Sequence, residues 1–108
     1  MNSRAFITGV SGLELSAAER ELIDAERPWG FILFKRNIDT PAQVIQLVQE
    51  LRSAIGEPDA PVLIDQEGGR VARLTAPFTT WPPMATLGRS GSEELAERFA
   101  RALAAELE

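Results

Sequence analysis

The sequence predicts an α/β protein built on a parallel sheet. Three short apolar segments alternate with two amphipathic helical patterns, and capping residues mark where the helices begin. The second segment, Trp29-Gly30-Phe31-Ile32-Leu33-Phe34, is apolar on both alternations, as expected of a parallel strand covered on two faces. At 108 residues the chain has the length of one modest domain.

Ala5 to Val10 forms the first apolar segment and runs into Gly9 and Gly12. Ser16 followed by Glu19 is a capping box, so a helix begins there, with Ala18, Leu22, Ile23 and Ala25 on its apolar stripe. Pro28 closes it, because its ring disfavours helical geometry at Arg27. The strand Trp29–Phe34 is then broken by the charge of Lys35-Arg36-Asn37. Thr40 is a second N-cap, with Pro41 at the first helical position and Gln43 completing a second box. Val44, Val48, Leu51 and Ile55, joined by Ile45 and Leu47, make a 3.6-period face that Gly56 and Pro58 end.

Pro61-Val62-Leu63-Ile64 is the third strand. Thr75 to Gly88, holding Pro77, Pro82 and Pro83, is expected to be irregular and rigid. Ser90 and Glu93 form a third capping box, before a helix with Leu95, Phe99, Ala102 or Leu103, and Leu107 on one face. The predicted order is strand, helix, strand, helix, strand, long loop, helix. Residues 102–108 still favour helix and carry no stop signal. Together with a sheet of only three strands, this makes the chain the expected front part of a larger α/β protein.

Composition excludes several functions. Sixteen acidic and eleven basic residues give a net charge of −5, which disfavours binding to a nucleic-acid backbone. No cysteine is available for a disulfide or thiolate site. Without histidine there is no imidazole base, Ser-His-Asp relay or histidine metal ligand. No apolar run approaches a membrane span and no signal-like core follows Met1, so a soluble cytoplasmic protein without membrane partners is the expectation.

The chemistry concentrates in Ile64-Asp65-Gln66-Glu67-Gly68-Gly69-Arg70-Val71-Ala72-Arg73-Leu74. Ligands of α/β proteins bind beyond the carboxyl ends of the strands, and Asp65 stands where the third strand stops. There it either accepts hydrogen bonds from a polar ligand or caps the following loop. An extended chain would put Glu67 on the same face, roughly 6.6 Å along the strand, a spacing compatible with paired glycosidase carboxylates. Gly68-Gly69 argues for an early turn instead, with Glu67 bridged to an arginine that holds the loop. The pattern lacks the GxxxxGK[ST] and GxGxxG phosphate signatures. Arg70 and Arg73 can each fork onto ligand oxygens or carboxylates, one organising the loop and the other reaching the ligand. Phe78 and Trp81 could stack on a sugar, although a Trp-Pro-Pro segment more often pins a loop. Phe31 and Phe34 are assigned to the core. Arg36 and Asn37 lie past the second strand end, on the functional side.

Ile64–Leu74, with Gly30–Asn37 upstream and Phe78–Gly88 downstream, resembles the N-terminal part of the glycoside hydrolase family 3 β-N-acetylglucosaminidases, also called β-N-acetylhexosaminidases. The likeness runs from about Ala5 to the end. It implies that residues 1–108 are the N-terminal segment of a (β/α)8 TIM barrel, with about three of its strands present. It also implies retaining hydrolysis of terminal, non-reducing β-linked N-acetylglucosamine from peptidoglycan fragments or chitooligosaccharides, as in peptidoglycan recycling, without a cofactor. The family's aspartate at the start of this motif and its final arginine contact the sugar, which maps to Asp65 and Arg73. Glu67, Gly68, Gly69 and Arg70 then organise the loop, and Gln66 stands at a variable position. The family's late nucleophilic aspartate and histidine–aspartate acid/base have no counterpart here, so the isolated segment is expected to be inactive. The alternatives are a non-catalytic sugar-binding or scaffold fragment, a β-glucosidase-type family member, and a metal-dependent barrel using Asp65 and Glu67. Oligomeric state is not legible in the sequence.

Overall fold

In the computed structural model, which describes residues 2–108, the chain divides after Asp65 into two units. The first contains β1 (Arg4–Thr8), α1 (Ala17–Glu26), β2 (Pro28–Leu33), α2 (Pro41–Ile55) and β3 (Val62–Ile64). The strands form a parallel sheet in the order β1-β2-β3, with Leu33 paired to Ile64 at the carboxyl end. The strand–helix alternation read from the sequence is therefore the architecture of this unit.

Local signals explain most of its boundaries. The Ser16 hydroxyl accepts from Glu19 N–H while the Glu19 carboxylate accepts from Ser16 N–H, closing the expected box. α1 ends as Arg27 turns left-handed at φ 52, the escape from helix that Pro28 enforces. Pro28 itself is already the first residue of β2. α2 starts at the Thr40 cap with Pro41 behind it and stops at Gly56, φ 72. Gly30 meets Pro61 so closely that an added Cβ would lie 2.8 Å from its carbonyl oxygen.

The core joins Ile23 of α1, Phe31 and Leu33 of β2, and Leu47, Leu51 and Ile55 of α2, with Val10 and Ala60. Burying each large side chain stabilises the fold by about 1.5–3 kcal/mol. Four sequence readings are corrected in this unit. Ile45 is 60% exposed, because at 100° per residue it falls roughly 100° from the centre of the α2 stripe. Gln43 does not complete the second box. Its Oε1 accepts from Asp39 N–H, while its Nε2 donates to the Leu13 and Asn37 carbonyls, which a carboxamide can reach and a carboxylate cannot. Trp29, at the amino end of β2, is exposed, so the strand is not covered along its whole length. Phe34 is only half-buried, since β2 has ended and its ring serves as a platform for Arg36.

Residues 66–108 depart further from the predicted order. They form β4 (Gln66–Gly68), β5 (Val71–Ala72), α3 (Met84–Ser90) and α4 (Glu93–Leu107). β4 and β5 pair antiparallel, an element that apolar patterning could not announce because the strands are two and three residues long. α3 occupies the end of the stretch expected to be irregular. Prolines are compatible with the residues just before a helix, and Pro83 is the N-cap of α3. The α4 cap is Ser92, not Ser90: Gly91 at φ 63 ends α3, and the Ser92 hydroxyl accepts from Leu95 N–H. Ser90 instead donates to the Leu87 carbonyl.

Candidate functional site

The carboxyl end of the parallel sheet is built from the loops after β1 and β2 and from Asp65 after β3. Asn37 is completely buried there. Its Oδ1 accepts from Phe34 N–H at 2.9 Å, and its Nδ2 donates to the Val10 and Gly12 carbonyls at 3.1 and 2.8 Å. One carboxamide thus ties the two strand-end loops together. Arg36 Nε donates to the Val10 carbonyl at 3.0 Å, and its guanidinium stacks 4.8 Å from the Phe34 ring centroid. Asp65 is half-buried and directly follows the last residue of β3. Arg36 and Asn37 do lie past the strand end as read from the sequence, but Asn37 is an internal brace.

The remaining motif residues lie in the β4–β5 hairpin. Gly68 and Gly69 adopt φ 91 and 60 and reverse the chain. The Trp81-Pro82-Pro83 segment crosses them at close range: Gly69 N–H donates to the Trp81 carbonyl at 2.9 Å. A Cβ on Gly68 would come within 2.1 Å of the Pro82 carbonyl oxygen, and one on Gly69 within 2.9 Å of Pro83 Cβ. Both glycines are therefore required by conformation and by space. Glu67 is exposed in the middle of β4 and, among the described residues, forms no ion pair, so the arginine bridge considered for it is not what holds this loop. Arg70 is exposed at the turn. Arg73 is half-buried just beyond β5.

The hydrogen-bonding centre of the hairpin is Gln66, which was not singled out from the sequence. Its side chain is buried; Oε1 accepts from Arg73 N–H at 2.8 Å and Leu74 N–H at 3.1 Å, and Nε2 donates to the Leu74 carbonyl at 3.0 Å. Period-two alternation was the available signal, since it puts Gln66 and Gly68 on the covered face and Glu67 outside.

Trp81 pins its loop. Its ring meets Phe99 of α4 edge-on at 5.0 Å. Nearby, the Thr79 hydroxyl and N–H both donate to the Glu106 carboxylate. The Thr79 hydroxyl, opposed by desolvation and helped by the Thr79 N–H, holds that carboxyl below the usual range. The Trp81 indole N–H adds to this from outside hydrogen-bond geometry.

A half-buried carboxylate directly past a strand end, as at Asp65, is of the type that accepts hydrogen bonds from hydroxyl groups. Among the described residues, no group of three or more Asp or Glu side chains is arranged to hold a metal ion. No helix among them is long and apolar enough to cross a membrane. Shallow surface depressions occur elsewhere, one between α1 and α2 beside Arg20 and Glu50, another along β1 beside Phe6 and Trp29. Neither includes a motif residue.

Comparison with known proteins bears on the chain as a whole. A β-hexosaminidase of Stenotrophomonas maltophilia is 36% identical over 107 residues, covering 94% of this chain and 32% of its own. A family 3 β-N-acetylglucosaminidase structure from Paenibacillus superposes with a TM-score of 0.84 at 40% identity, over 94% of this chain and 20% of that one. The NagZ structure of Neisseria gonorrhoeae in complex with N-trifluoroacetyl-D-glucosamine gives a TM-score of 0.74 at 28% identity, over 81% of this chain and 26% of that one. The chain spans a third or less of the length of the curated relatives it matches. Residues 6–108 match the N-terminal domain of glycosyl hydrolase family 3, and the chain belongs to that family.

Proposed function

We propose that these residues supply part of the sugar-binding subsite of a cytoplasmic β-N-acetylglucosaminidase. The enzyme would release terminal, non-reducing β-linked N-acetylglucosamine from peptidoglycan fragments or chitooligosaccharides, with retention of configuration. In this proposal β1 to β3 are the first strands of a (β/α)8 barrel, whose carboxyl-end face carries the active site. The observation that carries the reading is the position of Asp65, which directly follows β3 in a parallel sheet. Support comes from the β-hexosaminidase names of the relatives and from the N-trifluoroacetyl-D-glucosamine bound by the Neisseria protein.

Asp65 would accept hydrogen bonds from sugar hydroxyls and Arg73 would donate to the sugar. Gly68 and Gly69 would shape the loop between them in sequence, with Glu67 and Arg70 on its outer surface. None of these groups breaks the glycosidic bond. Their contribution is to hold the ring so that its anomeric carbon meets a nucleophile supplied outside these 108 residues, with contacts that tighten in the transition state. The proposal requires no cofactor.

The test is steady-state kinetics on an intact catalytic domain carrying this segment. Asp65→Ala should lower kcat/KM by on the order of 2–4 kcal/mol, the cost of losing a charged partner to a buried hydroxyl. An unchanged kcat/KM would remove Asp65 from the site. Activity that disappears on thorough chelation would instead favour the metal-dependent reading.

A further inference from the structure

We infer that Gln66 is a positioning residue for Arg73, setting where its guanidinium meets the sugar; the inference rests on the sugar-binding role proposed above for Arg73. β5 ends at Ala72, so Arg73 is the first residue past the ladder. The Gln66 carboxamide extends the pairing to it. Its Oε1 accepts from both Arg73 N–H and Leu74 N–H, and its Nε2 donates to the Leu74 carbonyl. The side chain of β4 thereby builds one further rung beyond the last backbone pair, Gln66 with Ala72.

The chemistry of this rung is specific. Gln66 is only 7% exposed, so water offers little replacement for a lost bond. An oxygen and an NH2 must sit at the end of one side chain to serve two N–H groups and a carbonyl together. Leucine has the right size but neither function. An ionised glutamate would keep the acceptor but face the Leu74 carbonyl with negative charge; its protonated form would restore a donor. Holding the Arg73 and Leu74 N–H groups fixes the two peptide planes that flank the Arg73 Cα, and with them the direction of its Cα–Cβ bond; a displacement there is carried along the whole side chain. A misplacement of about 1 Å can cost on the order of 10²-fold in rate.

The experiment uses an intact catalytic domain carrying this segment, with a 4-nitrophenyl β-N-acetylglucosaminide as substrate. kcat and KM are measured for Gln66→Leu, Arg73→Ala and the double variant, well below each thermal unfolding midpoint. Gln66→Leu should lower kcat/KM about tenfold when Arg73 is present, and less than about twofold when it is already alanine. Gln66→Glu covers the case in which Gln66→Leu does not fold. Relative to the unsubstituted enzyme at each pH, its activity should recover as pH falls and the new carboxyl gains a proton. Equal losses in both Arg73 backgrounds, no loss in either, or a Gln66→Glu deficit independent of pH would overturn the inference. If Arg73→Ala alone leaves kcat/KM unchanged, the sugar-binding role of Arg73 fails first, and the positioning role with it.

Discussion

Two buried carboxamides do different work at the residue scale. Gln66 organises a hairpin, whereas Asn37 laces the loops that follow β1 and β2. Asn37→Ala should be among the more damaging substitutions in residues 2–65. It leaves Phe34 N–H and the Gly12 carbonyl without the Asn37 partner and the Val10 carbonyl with Arg36 Nε alone. The expected destabilisation is about 2–4 kcal/mol, to be read from urea unfolding monitored by circular dichroism. A loss under about 0.5 kcal/mol, the level of an ordinary surface substitution, would contradict the bracing role. Asn37→Asp should also destabilise, because a carboxylate cannot donate to either carbonyl.

The elements show which physical signals reach the sequence and which do not. β2 and α2 were legible because burial imposes periodicity on every residue of a long enough segment, as Phe31, Leu33, Leu47, Leu51 and Ile55 attest. The α1 start was legible because Ser16 and Glu19 carry their own geometry. The β4–β5 hairpin was hidden, being held by the Gln66 side chain and two positive-φ glycines rather than by an alternating apolar face. The same cause limited the reading of the site. Asp65 and Arg73 stand out as charges beside a strand, but the residue that anchors Arg73 is a neutral glutamine. The α1 cap yields a pH-dependent prediction. Partial burial opposes ionisation of Glu19, but hydrogen bonds from Ser16 and Ser11 outweigh it and lower its pKa. Its folded pKa lies below the unfolded value of about 4.3, so its stabilising contribution is complete above that pH. The contribution falls away as pH drops through the lowered folded value. Glu19→Gln should therefore narrow its stability difference from the parent chain under acid; a difference constant from pH 7 to pH 3 in urea titrations would contradict this linkage.

At the scale of the whole molecule, the proposal places the bond-breaking groups outside these residues. The chain has no histidine, and it spans a third or less of the curated relatives it matches. A purified polypeptide of these 108 residues should give no turnover of an aryl N-acetylglucosaminide above the buffer rate, measured with enough protein to detect a 10⁴-fold reduced enzyme, about 5.4 kcal/mol. Measurable hydrolysis would mean that the bond-breaking groups lie within the segment, against the proposal. β1 and β3 are the edges of their sheet, and Phe6, Ile7 and Leu63 are exposed on them. Further strands of a barrel would cover those edges, in the same proposal.

The distribution of the two tryptophans has a spectroscopic consequence. Trp29 stands exposed in residues 2–65, while Trp81 is half-buried against Phe99 in residues 66–108. Each unit therefore carries its own intrinsic fluorophore. Trp29 emission should lie to the red and be open to a dissolved quencher, whereas Trp81 should be the shielded, blue-shifted component. Single Trp→Phe variants would resolve the melting of one unit from that of the other without any added label.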